Sequence, residues 1–174
     1  MRRVYVDTNV IIARYKPQDP LYSTANEFFT RKDIEFIISP LSLVELNAVI
    51  SRLLPSNIIV PSNIKKIDVP TLVEFIIYDC NLRLVSKSYL TAYQIRKMKV
   101  RIPLEYYLAL LIADTIKLRT LDLLHLAYVY LMKDYVSVFV TGDEEIIERK
   151  DAIKKFGIRI IHPEEFLDEL VPKR

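Results

Sequence analysis

One cysteine, two glycines and two histidines in 174 residues remove several kinds of chemistry at the outset. Cys80, alone, can form neither an internal disulfide nor a cysteine-based zinc cluster, and is expected to be a small buried hydrophobe. Gly142 and Gly157 do not belong to a glycine-rich phosphate loop, which disfavours nucleotide- and dinucleotide-binding architectures. Nine scattered prolines, with no Ser-rich tract and no internal repeat, leave no candidate linker or disordered tail. Apolar runs are broken by charge every few residues, and the N-terminus moves straight into a strand pattern, so neither a membrane span nor a signal peptide is expected. A single cytoplasmic domain over residues 1–174 is the expectation, with 51% hydrophobic residues and a mean hydropathy of +0.17 to build one core. Glutamine is also scarce, at two residues, while Ile, Lys, Arg and Tyr are abundant, a usage that resembles a thermophile's.

What is present begins at the first strand. Arg3-Val4-Tyr5-Val6 leads into Asp7-Thr8-Asn9 and then a fresh apolar run, the pattern of a buried strand ending in a polar turn that starts a helix. In open α/β sheets the carboxyl ends of strands are where ligands gather, so Asp7 is well placed for chemistry. A short helix over Val10 to Tyr15 should end at Lys16-Pro17, a second run from Tyr22 to Arg31, and a strand occupy Glu35 to Ile38. Ser39-Pro40 then starts a helix in the favoured order of hydroxyl cap and proline. Glu45 lies on that helix among Leu41, Val44, Leu46, Val49 and Leu53, where an acid is costly to bury without a partner. A ligand of a metal ion or water, or a structural hydrogen-bonding acid, are the alternatives.

The middle of the chain is ambiguous. Leu54 to Ser62 reads as a proline-punctuated connection, Thr71 to Tyr78 as helix or strand, and Leu82 to Val85 as a strand. A helical pattern is expected from Ser88 toward Arg101, and a strongly apolar helix from Leu104 to Leu118. Thr120 is a plausible cap for the next helix, placing Asp122 in a first turn whose free amides favour a carboxylate. His125, one turn on, is read as a packed core residue rather than a catalytic base. Val136 to Val140 is the clearest strand, and it runs into Thr141-Gly142-Asp143. Glu144 and Glu145 are read as helix-dipole complements and His162 as having no role in a site. Gly157 should end a helix before a last strand, Ile158 to Ile161, and a terminal helix from Pro163.

The net charge of +3 and sequence pI near 8.9 are mild, but the distribution is uneven. No acid occurs from Cys80 to Leu104, where Arg83, Lys87, Arg96, Lys97, Lys99 and Arg101 alternate with Tyr89 and Tyr93. Such a stretch can track phosphates and stack bases, or simply be a solvated basic face.

Strand-then-Asp7-Thr8-Asn9, Ser39-Pro40 with Glu45, Thr120-Leu121-Asp122-Leu123-Leu124-His125-Leu126-Ala127, and Val140-Thr141-Gly142-Asp143 together resemble, in order, the four signature blocks of PIN domains, the VapC-like metal-dependent ribonucleases. The closing Pro163-Glu164-Glu165-Phe166-Leu167 also resembles theirs. The resemblance implies a three-layer α/β/α sandwich with a central, mostly parallel sheet of about five strands. It also implies an acidic quartet of Asp7, Glu45, Asp122 and Asp143 as catalytic and metal-binding residues, supported by Asn9 and Thr141. The stretch from about Leu53 to Leu104 is longer than the short toxin members need. The chemistry agrees: converging carboxylates with no thiolate or imidazole cluster suit Mg²⁺ or Mn²⁺, and such an ion can activate water against a phosphodiester.

The implied function is endoribonuclease cleavage of RNA, with Arg96, Lys97, Lys99 and Arg101 as the RNA-binding arm. Its setting is either a toxin-antitoxin pair or RNA processing and decay. An antitoxin protein and a homodimer are the protein partners the resemblance allows. The rival from another class is a non-catalytic module that keeps the fold to bind RNA or protein. A phosphotransferase of the haloacid dehalogenase type is disfavoured because Asn9 stands where it needs a second aspartate.

Overall fold

The apolar run ahead of Asp7 becomes the middle strand of the sheet, flanked on both sides by strands that arrive later in the chain. The computed structural model of the protein describes residues 1–53, 68–87 and 89–171. In chain order the elements are β1 (Arg2–Val6), α1 (Thr8–Ala13), α2 (Tyr22–Thr30), β2 (Ile34–Ile38), α3 (Pro40–Leu53), α4 (Val69–Asp79) and β3 (Leu82–Leu84). A hairpin of β4 (Leu90–Ile95) and β5 (Met98–Pro103) follows, then α5 (Leu104–Ile116), α6 (Thr120–Leu131), β6 (Val138–Val140), α7 (Glu144–Glu148), α8 (Lys150–Lys154), β7 (Ile160–Ile161) and α9 (Pro163–Asp168).

Five strands form one parallel sheet in the order β3-β2-β1-β6-β7, with Tyr5 opposite Ile37 on one side and Phe139 on the other. Because successive strand residues point to opposite faces, each strand feeds two cores. Val4, Val6, Phe36, Ile38, Val138 and Val140 pack with helices α1 to α4 and α9, where Phe28 meets Phe29, Phe36 and Phe166. Tyr5, Ile37 and Phe139 pack against α5 to α8 on the other face. The result is the three-layer α/β/α sandwich with a five-stranded sheet. Cys80 is buried in the first core, and burial pushes its thiol up to about 12, as suits a hydrophobe rather than a reactive group.

Two local expectations change and one ambiguity is resolved. The helix expected from Ser88 toward Arg101 is instead the β4-β5 hairpin, with Ala92 paired to Arg101 and Gln94 to Lys99. Thr91, Tyr93, Val100 and Ile102 form its half-buried face, and Tyr93 meets Tyr107 of α5 edge-on at 6.1 Å. The turn lacks the usual glycine or asparagine signal: Arg96 itself adopts the left-handed conformation, φ 53°. Ser88 and the proline-punctuated connection beginning at Leu54 lie outside the described residues. The ambiguous run at Thr71 to Tyr78 is helical, because Asp68 caps it at the Thr71 amide and Pro70 sits in its first turn. Thr120 does not cap α6; Arg119 holds that position without a side-chain bond, and Thr120 is exposed as the first helical residue. Asp122 is in the first turn all the same.

Candidate active site

Asp7 and Asp143 follow β1 and β6 at the starts of α1 and α7, Asp122 lies in the first turn of α6, and Glu45 in the second turn of α3. Asp7 is tied into position through its backbone, its amide donating to Val140 O at 3.0 Å and its carbonyl accepting from Val10 and Ile11 of α1. Its side chain does not cap the helix. Instead Oδ2 accepts from Thr141 Oγ1 at 2.6 Å and from Asn9 Nδ2 at 3.0 Å. Thr141 is fully buried, and its hydroxyl oxygen also accepts from the Asp143 amide at 3.0 Å, while Asn9 Oδ1 accepts from the Gly142 amide. Asn9 and Thr141 thus couple β1 to the loop after β6. Asp143 caps α7 with Oδ1.

A cleft of about 430 Å³ collects Asp7, Glu45, Asp122 and Asp143. Within it, ligand atoms of Asp7, Glu45 and His125 approach within 4.8 Å of one another; Asp122 and Asp143 line the same cleft without joining that tighter group. His125 is buried in the core as expected, yet it is also bound to the site. Its Nε2 lies 2.6 Å from Glu45 Oε2, its Nδ1 2.7 Å from the Tyr5 hydroxyl, and Thr8 donates to the same Glu45 oxygen at 2.8 Å. Glu45 is therefore both a cleft-lining acid and a hydrogen-bonded one. The histidine-to-glutamate contact spans 80 residues of sequence, so nothing local announces it. One signal does exist, since Tyr5 is a phenol between Val4 and Val6 in the buried part of β1 and a buried hydroxyl needs partners.

Electrostatics set the acids apart. Burial holds the Asp7 carboxyl above its usual range, against the opposing pull of His125 and Thr141. Asp122 is pushed up to about 6, first by burial and then by the charges of Asp143 and Asp7. Burial works on Glu45 in the same sense, but its bond to His125, the imidazole charge and Thr8 outweigh it, so that carboxyl sits low. His125 is held well above its ordinary range, since contacts with Tyr5, Glu45 and Asp7 overcome the cost of burying its charge. One oxygen of Asp122, Oδ2, is buried with no hydrogen-bond partner among the described residues. An orphaned carboxylate oxygen beside other acids is what a cation satisfies. Both imidazole nitrogens are already bonded, so the available donors are oxygens, which fit a hard divalent ion such as Mg²⁺ or Mn²⁺.

The shifts predict a pH profile for the metal-free protein. Folded Asp122 binds its proton more tightly than an unfolded aspartate, so its contribution rises as pH falls through about 6 toward 3.8; Asp7 acts in the same direction. His125 adds stability that is complete below about 6.5 and is lost as pH climbs through its raised value. Glu45, held low, loses its contribution only as pH drops beneath its usual 4.5. Calorimetry should show the melting temperature rising from pH 7.5 to pH 5, with a shallower rise in Asp122→Asn. Equal slopes would contradict the assignment of Asp122.

The four cations proposed as an RNA arm lie elsewhere. Lys99 and Arg101 are on the solvent side of the hairpin, Arg96 and Lys97 at its tip, and all are exposed. Arg83, in the same acid-free stretch, is committed to Glu35. The hairpin is closed at its base by the Leu104 amide on Tyr89 O, and next to it Glu105 meets Tyr128 of α6. That meeting point is six residues, or about 9 Å of helix, along α6 from Asp122. The cations that line the cleft itself are Lys16, paired with Asp19 at 3.2 Å, and Arg52, two turns beyond Glu45 on α3.

The family model described as PIN domain matches residues 4–153. Among solved structures, the chain is similar to VapBC2 from Rickettsia felis bound to a DNA fragment from their promoter. The TM-score is 0.53 at 14% identity, covering 92% of this chain and 98% of that one. No curated protein matches. No helix among the described residues is long and apolar enough to cross a membrane.

Proposed function

The chain belongs to the PIN domain family, and from that premise we propose that it is a Mg²⁺- or Mn²⁺-dependent endoribonuclease. The observation that carries this reading is the cleft: a buried Asp7, Glu45 beside it, and Asp122 with an unpartnered buried oxygen, facing the same space as Asp143. Asp7, Glu45, Asp122 and Asp143 would hold the divalent ion, which when bound supplies charge neutralisation and activation of water for attack on a phosphodiester. Thr141 and Asn9 keep the Asp7 carboxylate at one place and one orientation, while the Asp143 amide, bonded to Thr141, holds the fourth acid in register with the first. Without a cation these carboxylates repel a polyanion as well as one another.

A toxin role with an antitoxin partner is the setting that the likeness in fold to the VapBC2 complex supports; a processing role without one is the other setting for the same chemistry. Incubating the full chain with single-stranded RNA in Mn²⁺, and in EDTA, tests the reaction. Cleavage that needs the ion supports it. RNA binding without cleavage, indifferent to the ion, would make the protein a binding module.

RNA affinity is proposed to draw on the hairpin. Replacing Arg96, Lys97, Lys99 and Arg101 with neutral polar residues should lower the slope of log affinity against log salt by up to about 3, at roughly 0.7 per single-strand phosphate contact. Mn²⁺ affinity should stay as in the wild type. An unaltered slope would shift the RNA path to the cleft's own Lys16 and Arg52.

A further inference from the structure

Glu45 reaches the cleft from a helix, on a side chain with three rotatable bonds, beside a buried carboxylate of the same sign. Left alone it would swing outward to water. Two donors prevent this, and both act on the same atom: Thr8 Oγ1 at 2.8 Å and His125 Nε2 at 2.6 Å both meet Oε2. No described residue bonds Oε1. The imidazole is itself held from behind, since Nδ1 lies 2.7 Å from the Tyr5 hydroxyl, and that oxygen also meets Ser39 Oγ at 2.7 Å and Ser42 Oγ at 3.3 Å. A phenol has one proton and two lone pairs, so Tyr5 can satisfy all three neighbours. One line of hydrogen bonds therefore runs from the start of α3, through β1, to α6 and back to α3 at Glu45.

The polarity of the last bond is fixed by chemistry. An ionised carboxylate only accepts, so Nε2 carries the proton and donates, whether the ring is neutral or charged. With Nδ1 on Tyr5, Nε2 on Glu45 and the side chain fully buried, His125 has no ring nitrogen left to take a proton from water or substrate.

We propose that His125, backed by Tyr5, is a positioning residue that pins Oε2 of Glu45 and so leaves Oε1 as the oxygen available to the divalent ion. This rests on the metal-dependent reading above. Partners that orient ligating groups in this way commonly contribute 10- to 100-fold to metal affinity.

Calorimetric titration of the metal-free full chain with MnCl₂ alone tests it. His125→Phe, which keeps a flat ring but no donor, should weaken Mn²⁺ binding by at least about tenfold and lower kcat with KM for RNA unchanged. His125→Gln retains an N–H donor and should stay within about tenfold of wild type. Tyr5→Phe should lose less than His125→Phe, and the double variant no more than His125→Phe alone, because the two act in series. If His125→Phe does not fold, His125→Leu, which also lacks a donor, is judged by the same threshold. Folded His125→Phe binding Mn²⁺ within about threefold of wild type, or more tightly, overturns the proposal, as do additive losses in the double variant. The two readings fail separately. A wild type that binds no Mn²⁺ overturns both, whereas binding that Asp122→Asn abolishes and His125→Phe leaves intact overturns only this one.

Discussion

Asp122→Asn is expected to abolish Mn²⁺-dependent RNA cleavage while raising the melting temperature of the metal-free protein. The two effects share one cause. Asp122 is half-buried, its Oδ2 has no partner among the described residues, and burial together with Asp143 and Asp7 already pushes the carboxyl up to about 6. At pH 7.5 the folded protein thus carries a charge it would be more stable without. The isosteric amide removes that charge and its repulsion, for a gain of roughly 1–2 kcal/mol after allowing for solvent at a half-exposed site. In a chain of this size that corresponds to about 2–8 °C. The amide cannot neutralise a divalent ion, and losing several kcal/mol of electrostatic stabilisation costs at least about 10³ in rate. Scanning calorimetry and a gel assay of RNA cleavage read the two halves. A variant of near wild-type activity would remove Asp122 from the mechanism; one that is inactive but less stable would assign it a structural task instead.

Thr141→Val should damage stability and site together. The side chain is fully buried, and valine matches its shape, so packing is preserved and the hydroxyl alone is lost. That hydroxyl spends its proton on Asp7 Oδ2 at 2.6 Å and accepts from the Asp143 amide at 3.0 Å and Asn9 Nδ2 at 3.3 Å. Three groups lose a partner at once; Asn9 Nδ2 and Asp7 Oδ2 keep each other at 3.0 Å, whereas the Asp143 amide has no second acceptor among the described residues. Each unsatisfied group costs about 1–3 kcal/mol, but shared geometry makes the sum smaller, so about 2–4 kcal/mol is expected. That is a fall of roughly 5–15 °C in melting temperature. Loss of the shortest donor also drives the Asp7 carboxyl higher, and Mn²⁺ affinity should fall by about 10- to 100-fold. Thr141→Ser, which keeps the hydroxyl, should retain most of both. A valine variant melting within about 2 °C of wild type would show that water replaces the hydroxyl.

What could be read from sequence was whatever is encoded locally. Strand-to-acid transitions at Val6-Asp7 and Thr141-Gly142-Asp143, the Ser39-Pro40 helix start, and an acid in the first turn of α6 each depend on a few adjacent residues, and each is found where expected. The hairpin was hidden for a physical reason. Its turn uses a left-handed arginine in place of a marked turn residue, and one face of an exposed two-stranded ribbon offers little apolar alternation to detect. Tertiary pairing also lay beyond local pattern. That His125 holds Glu45, and that Arg52 rather than the hairpin lines the cleft, follow from how α3 and α6 pack on the sheet.

Placing the first strand in the middle of the sheet has a consequence for synthesis. β1 can pair with β2 as soon as residue 38 is available, but its other edge waits for Val138 to Val140, and the Asp7 amide has no strand partner until Val140 arrives. The cleft does not exist on a growing chain, because its first and last acids are brought together by that late pairing. At 5–20 residues per second the interval from residue 38 to residue 140 is roughly 5–20 s, during which the acids of the nascent polypeptide stay unassembled. Such long-range closure also makes folding slow relative to a helical bundle, so assembly of the cleft extends past release of the finished chain.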